Sequence, residues 1–443
     1  MTDMSVSLEQ RFPAVFHQSP VKRFAPLIGV IAVAVYLVYA VWFFGLPTVL
    51  GAAKWDRLGD YTQQWIAYDV SAEFRLDQSP PVAKFPRFSV LGNNPRPEWI
   101  KTGADGSTTL ELSGADHSVT FTATQATIRH GSDSVVVDLS GTDAVFVTQP
   151  VPDWVTLKSG QVIADFGFSG DIRVNHDRVK FRKRTLGWPN FIFDPNSPFF
   201  GKSVGEVTAL LVSGPDLVPG TSNLALAFDN FWNNAQWQHG DVLIKLLQTI
   251  VMAFAGTLIG AMVAFPLAFL AARNITANGA LNQGFKRLFD FLRSVDMLIW
   301  ALFFTRAFGP GPLAGIGAIA FTETGTLGKL YAEGLENIDD KQREGIQSTG
   351  ASPMLVQRYG VVPQVLPVMV SQTLYQWESN TRSASIIGAV GAGGIGLKLW
   401  EAMRTNSNWS NVFYMVLLML AVVFIFDNLS NALRTRLIGQ RMH

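Results

Sequence analysis

With 443 residues the chain has room for two or three domains, so composition has to decide its class. Charged residues make up 16% and hydrophobic ones 48%, with a mean hydropathy of +0.21; ordinary soluble domains carry ~25% charged residues, so the balance points to a membrane protein. A formal charge of +1 excludes a chain-wide basic surface for nucleic acid, and the lack of cysteine excludes disulfides, thiol nucleophiles, Cys-ligated zinc and iron–sulfur clusters.

Residues 24–53 contain no charge, and the apolar stretch 27–46 meets the ~20 residues that a helix needs to cross a bilayer. Residues 1–53 therefore read as a cytoplasmic N-terminus and a first transmembrane helix. A cleaved signal peptide is the rival, encouraged by the small residues Gly51, Ala52 and Ala53, but the run is longer than the ~7–15 residues of a signal-peptide core. Residues 54–240 are polar and turn-rich, with period-two alternation in Val119-Thr-Phe121-Thr-Ala123-Thr and Ile172-Arg-Val174, and further candidate strands at 135–139, 144–148 and 162–166. They form a β-rich insertion. Its basic run, Arg178, Lys180, Arg182, Lys183 and Arg184, reads as a solvated edge strand, a lipid-headgroup contact, or a surface for a binding protein or anionic substrate.

From residue 241 onward apolar helices return, predicted at 246–272, 292–308, 313–331, 365–389 and 411–433, with Gly256, Gly260 and Ala261 leaving small faces for close helix approach. With the first helix this makes about six spans. Lys22 and Arg23, then Arg273, Lys286 and Arg287, then Lys341, Arg343 and Arg358, and last Arg434, Arg436 and Arg441 all fall on one side of such a topology. The positive-inside rule then puts both termini in the cytoplasm and the β-rich insertion outside.

Between the fourth and fifth spans, 339–360 reads as two short helices. Asp339 or Asp340 caps the first, Gly350 provides the left-handed turn that ends it, Ser352 caps the second and Pro353 takes its first position. Pro363 and Pro367 are expected to break continuity so that the next span leaves at an angle. An ordinary amphipathic loop fits the spacing equally well. Glu378 and Arg382, four apart, share a helix face and can pair, beside the hydroxyls of Thr381, Ser383 and Ser385. An intramembrane ion pair marks either a transport path or a packing lock.

Two apparent nucleotide motifs fail. Gly391-Ala-Gly393-Gly394-Ile-Gly396 has no strand before it, and its glycines read instead as a kinked or re-entrant segment; Gly201-Lys202-Ser203 lacks the first P-loop glycine, residue 196 being Asn. The histidines show no metal-ligand spacing, and no catalytic constellation emerges.

Several stretches in order resemble permeases of the phosphonate-type ABC importers, relatives of the methionine importer permeases. They are Gly256-Thr-Leu-Ile-Gly260, Leu292-Arg-Ser-Val295, Gly328-Lys-Leu-Tyr-Ala-Glu-Gly-Leu-Glu-Asn337, the loop 344–367, and Arg382-Ser-Ala-Ser-Ile-Ile-Gly-Ala-Val-Gly-Ala-Gly-Gly-Ile-Gly396. The resemblance covers nearly half the chain. It departs from the family loop at Glu344-Gly345-Ile346, where the pattern is Glu-Ala-Ala, at Gly360 in place of Ile, and at Val362-Pro363 in place of Leu-Pro.

The resemblance implies an α-helical polytopic membrane protein of the ABC importer permease type, lodged in a bacterial inner membrane among its lipids. It implies that the coupling segment 337–364, with Glu344, Gly350, Ala351, Ser352, Pro353 and Pro363, receives the push of a cytoplasmic ABC ATPase dimer. Glu378, Arg382, Ser383 and Ser385 are then pathway candidates, and Gly391, Gly393, Gly394 and Gly396 gate or re-entrant glycines. ATP and Mg belong to the ATPase, and this chain is expected to bind no cofactor or metal and to have no catalytic residue. A second permease copy, identical or a close paralogue, and a periplasmic substrate-binding protein complete the assembly; nucleic acid has no part. Phosphonate is the expected substrate, with phosphate, phosphite or another small oxyanion as alternatives. The rival from another class is a membrane receptor with a periplasmic β-rich sensor domain; a membrane-embedded enzyme is the weaker third reading.

Overall fold

The computed structural model describes residues 20–439 apart from 54, 78–79, 87–88, 93–94, 114–115 and 406–408, so the expectations for residues 1–19 and Arg441 lie outside the described residues. The chain divides into two compact units between Tyr61 and Thr62.

In the first unit α1 (Pro20–Phe43) is followed by α2 (Leu46–Ala52). The join is Gly45, whose φ of 58° suits glycine because no Cβ opposes it. Leu27, Val38 and Trp42 are exposed. A helix this apolar with no protein cover has lipid as its matching solvent. Helix α3 (Trp55–Gln64) leads into the second unit.

After α3 the described residues of the second unit form twelve strands. One sheet has the order β2-β1-β12-β11-β10-β9, built from β1 (Ala67–Arg75), β2 (Ala83–Lys84), β9 (Val155–Lys158), β10 (Gln161–Asp165), β11 (Gly170–Val174) and β12 (Arg178–Leu186). The other has the order β3-β4-β5-β6-β7-β8, from β3 (Ile100–Thr102), β4 (Thr108–Ser113), β5 (His117–Phe121), β6 (Gln125–His130), β7 (Asp133–Asp138) and β8 (Val145–Phe146). Neighbours in both pair antiparallel. Alternation sends Phe74, Phe181 and Ile172 of the first sheet and Leu110, Phe121 and Ile128 of the second into one shared core, where the rings of Phe74 and Phe121 meet edge-on at 5.3 Å.

Two expectations change here. The alternation from Val119 does not run on as a strand through Thr124, because Thr122 turns back to pair with the Gln125 carbonyl and a hairpin begins. The basic strand is not an edge: β12 pairs with β1 on one side and β11 on the other. Two unforeseen helices follow the strands, α4 (Val204–Val212) and α5 (Asn223–Trp232). Ser203, part of the false P-loop, is the cap of α4, with Glu206 closing a reciprocal capping box.

The helical part comprises α6 (His239–Ala271), α7 (Gly279–Ser294), α8 (Met297–Phe308), α9 (Pro312–Glu336), α10 (Asp340–Gln347), α11 (Pro353–Val356), α12 (Val362–Ile387), α13 (Gly394–Thr405) and α14 (Trp409–Gly439). Helices occupy all six predicted apolar stretches. Among the described residues, α1, α6 and α14 are long and apolar enough to cross a membrane, and the 58° bent pair ending in α13 makes a fourth if it is one span. The stretch 292–308 is divided, because Asp296 accepts the Leu298 amide (2.8 Å) and starts a new helix of 12 residues. At 1.5 Å per residue that is ~18 Å, well short of the ~30 Å hydrocarbon layer. Helix α9 lies tightly on α6: a Cβ on Gly256 would come 2.6 Å from Ile319 Cβ, and one on Gly260 2.7 Å from Glu323 Cβ. These glycines set the helix separation.

An aromatic cluster seats the β sheets on the helices. Trp188 Nε1 donates to the Trp65 carbonyl (3.1 Å), Trp237 Nε1 to that of Pro189 (2.9 Å), and Ser410 Oγ to that of Ala67 (3.0 Å). His239 links the Tyr414 hydroxyl (2.9 Å) to the Phe191 carbonyl (2.6 Å). Each large ring thus buries its apolar body while its polar atom keeps a partner.

Candidate coupling segment and intramembrane site

The candidate coupling segment is built much as its local sequence dictates. Asp339 caps α10 by accepting the Lys341 amide (3.1 Å), and Gly350 takes φ 77° after the helix ends. Ser352 stands at the cap position of α11 without a side-chain bond, and Pro353 begins the helix. Glu344, Gly350, Ser352, Pro353 and Pro363 are exposed, and Ala351 is half-buried. Pro363 does not break the chain. Residues 357–361 form a π-turn, in which the Val362 amide reaches the Gln357 carbonyl, and α12 continues directly from it. A wider turn just ahead of a proline accommodates the ring and its missing N–H without ending the helix.

Gly360 and Ile346, both departures from the family pattern, face each other. A Cβ on Gly360 would meet Ile346 Cδ1 and Arg343 Cα at 3.4 Å, so α10 leans directly on the π-turn. Arg343 then reaches the Asn274 carbonyl (3.3 Å), Asn274 Nδ2 donates to the Leu335 carbonyl (2.7 Å), and Glu336 takes the Arg273 amide (2.9 Å) and Lys286 Nζ (2.7 Å). The segment is therefore tied to the loop after α6, which is bonded in turn to the end of α9, where Glu336 also holds the middle of α7. What spacing alone missed is its apolar surface: Met354 is 82% exposed and Tyr359 58%, with Leu355 also open. The available signal was a Met-Leu pair directly after a proline helix start in an otherwise polar loop.

Burial raises the Glu336 carboxyl, but the bonds from Lys286 and Arg273 outweigh it and hold the group below its ordinary value of 4.5. A depressed carboxylate contributes stability above its unfolded pKa and loses it as pH falls through the folded one. The α6–α7–α9 junction is thus expected to stay closed at neutral pH and to loosen only below the ordinary glutamate range. Hydrogen exchange of the amides at 273–276 as a function of pH checks this; loosening on the alkaline side between pH 6 and 8 would contradict it.

At the second candidate, Glu378 and Arg382 do pair (3.6 Å), but within a larger set. Arg434 of α14 reaches Glu378 at 3.2 Å, and Arg382 also approaches Asp427 at 3.9 Å. The charges tie α12 to α14, and Glu378, only 12% exposed, lies level with the basic end of α14. Arg434→Ala leaves Glu378 with one longer contact and is expected to cost about 2 kcal/mol. A double-mutant cycle with Glu378→Gln in thermal unfolding measures it, and additive single losses would show that there is no lock. Ser383 turns its hydroxyl to the Ser379 carbonyl (3.3 Å).

The glycines gather at a different corner. Gly391, Gly393 and Gly394 all have positive φ. The Gly311 amide donates to the Gly391 carbonyl (2.9 Å), and the Ile395 amide to Thr249 Oγ1 (2.9 Å). Gly396 crosses so close to Gly388 and the Ser385 carbonyl that no side chain fits. The bent pair is therefore packed against α6 and the α8–α9 turn. A third intramembrane feature escaped sequence reading: Glu323, 3% exposed, lies between Gly260 and Asn380, and Asn380 Nδ2 donates to Thr257 Oγ1 (2.9 Å). The signal was an acid within an apolar helix.

A family profile described as binding-protein-dependent transport system inner membrane component matches residues 264–439. The phosphite transport system permease protein PtxC of Stutzerimonas stutzeri is 39% identical over 190 residues, 43% of this chain and 68% of that protein. The putative phosphite transport system permease protein HtxC of the same organism is 36% identical over 193 residues, again covering 43% of this chain and 68% of the relative. A putative cryptic phosphonate transport system permease protein, PhnE2 of Escherichia coli K12, is 43% identical over 121 residues, 27% of this chain and 98% of its own length. These relatives set the receptor and enzyme readings aside, and the matched region contains the coupling segment, the charged set and the glycine corner. The chain belongs to the binding-protein-dependent transport system inner membrane component family: it is a multi-pass permease subunit of an ABC importer, and ATP hydrolysis is the work of a separate subunit.

Proposed function

We propose that this permease carries a small phosphorus oxyanion, a phosphonate or phosphite with phosphate as a relative, from the periplasm to the cytoplasm. The substrate class is supported by the relatives named as phosphite and phosphonate transport permeases. A soluble binding protein delivers the anion, a second permease copy completes the path, and a pair of cytoplasmic ATPases, which hold ATP and Mg, drives the cycle. The basic groups beside the span ends support cytoplasmic termini with the β sheets outside.

The observation that carries the coupling role is the surface of residues 344–359. Exposed apolar side chains at Met354, Leu355 and Tyr359, and the exposed acid Glu344, lie on a short helix pair and its following π-turn, tied to the loop after α6 and through it to α9. Such a piece can enter a groove on another subunit and pass its movement to the spans as a body. The test is co-purification with the ATPase, together with oxyanion-stimulated hydrolysis and uptake in reconstituted vesicles, for wild type and Met354→Glu. Loss of association and uptake in the variant is expected; unchanged coupling would remove this segment from the interface. The Glu378–Arg382–Arg434 set is proposed as a lock between α12 and α14 whose Arg382, the exposed member, is available to a passing anion.

A further inference from the structure

The outer face of the first sheet carries positive charge that the fold leaves unanswered. Across β1, β2, β11 and β12 runs a groove of about 760 Å³ lined by five cations and two carboxylates. Both carboxylates are already engaged: Asp171 by Arg173 (3.1 Å) and Arg182, and Glu73 by Arg178 (3.4 Å). Arg75, Lys84 and Lys180 have no ion-pair partner among the described residues, although the register sets Lys180 and Lys84 on either side of Glu73. The chain as a whole carries only +1, so this excess is local. Val82 and Phe85 form an apolar wall of the same groove.

The central position of β12 removes the need for its cations to guard an edge. The groove also lies well along the strands from the points where the sheet meets the α6–α14 helical part. The sheet meets the helical part at Ala67, which accepts from Ser410, and at Trp188 just after β12, whose ring packs on Tyr414; Lys180 and Arg75 lie ~20 Å and ~26 Å along the strands from the Ala67 level at ~3.3 Å per residue. Measured along the strands, that length exceeds the ~5–8 Å of a headgroup layer. The volume is also far larger than one tetrahedral oxyanion, whereas separated point charges beside an apolar wall match a protein surface bearing several carboxylates.

We propose that this groove docks an acidic segment of the soluble substrate-binding protein, making the β sheets a reception platform for the importer. This rests on the importer reading above. Charges of this kind act mainly on encounter rate and salt dependence, because complementary fields steer partners together and are screened within a Debye length.

The test uses the full permease with its ATPase in nanodiscs and the purified binding protein as probe, with stimulated hydrolysis and binding kinetics read at low and moderate salt. Arg75→Glu/Lys84→Glu/Lys180→Glu is expected to slow association by about tenfold and flatten its salt dependence, leaving unstimulated hydrolysis unchanged. The neutral Lys84→Gln/Lys180→Gln is expected to give an intermediate effect and keeps the result readable if charge reversal harms folding. Association unchanged in both variants overturns the proposal. So does a defect that appears only with anionic lipid in the disc, which would assign the groove to headgroups. If the binding protein fails to stimulate even the wild type, the importer reading falls, and the proposal with it.

Discussion

Gly396→Ala is expected to destabilise the helical part by about 3 kcal/mol or more, the upper range for forcing a methyl group into a filled site. Gly396 lies where α13 recrosses the end of α12, against the Ser385 carbonyl and 3.0 Å from Gly388 Cα for an added Cβ. These are backbone atoms, so no flexible side chain can swing away, and relief requires moving one helix. Movement is resisted by Thr249, which holds the Ile395 amide, and by the Gly311–Gly391 hydrogen bond. At roughly 2–4 °C per kcal/mol the midpoint of thermal unfolding falls by about 6–12 °C. Gly334→Ala is the control: it also lies in a helix, but an added Cβ meets nothing within 4 Å. There, alanine improves helix propensity and the midpoint stays or rises slightly. Equal midpoints for the two variants would mean that the corner is not closely packed in the purified protein.

Met354→Glu is expected to abolish most coupled uptake while leaving the permease folded. The wild-type side chain is 82% exposed, so its replacement removes almost no internal packing. Its burial in a partner groove contributes about 2 kcal/mol, and replacing it with an uncompensated charge reverses that gain, so association with the ATPase weakens by ~30-fold or more. Met354→Leu restores the apolar contact and should keep most of the activity. If the glutamate variant couples as well as wild type, the ATPase engages another surface.

The family and the helix-pair architecture were legible from sequence because they depend on local chemistry. Asp339, Gly350 and Pro353 each occupy a position whose backbone geometry their own covalent structure favours, and all three do so in the fold. Apolar runs longer than any soluble strand announced the helices, and alternation announced the sheets. Local rules also misled. Pro363 looked like a break, but the strain is taken by a π-turn over 357–361; the run at 292–308 looked like one span, but Asp296 starts a second helix within it.

What sequence could not disclose were relations between distant residues. For the basic run Arg178 to Arg184 an edge strand was one of three readings until β12 paired on both sides, since strand order depends on which segments meet across more than a hundred positions. Glu378 had an obvious partner four residues away, yet its shorter contact is with Arg434, 56 residues on. By itself, then, the sequence determined an importer permease with a capped helix pair and a glycine-rich break, because caps, turns and hydrophobic periods are written within a few neighbouring residues. Only the tertiary structure decided which charges remain unpaired, which apolar side chains stay exposed and which glycines admit no side chain, because each of these depends on atoms brought close by folding.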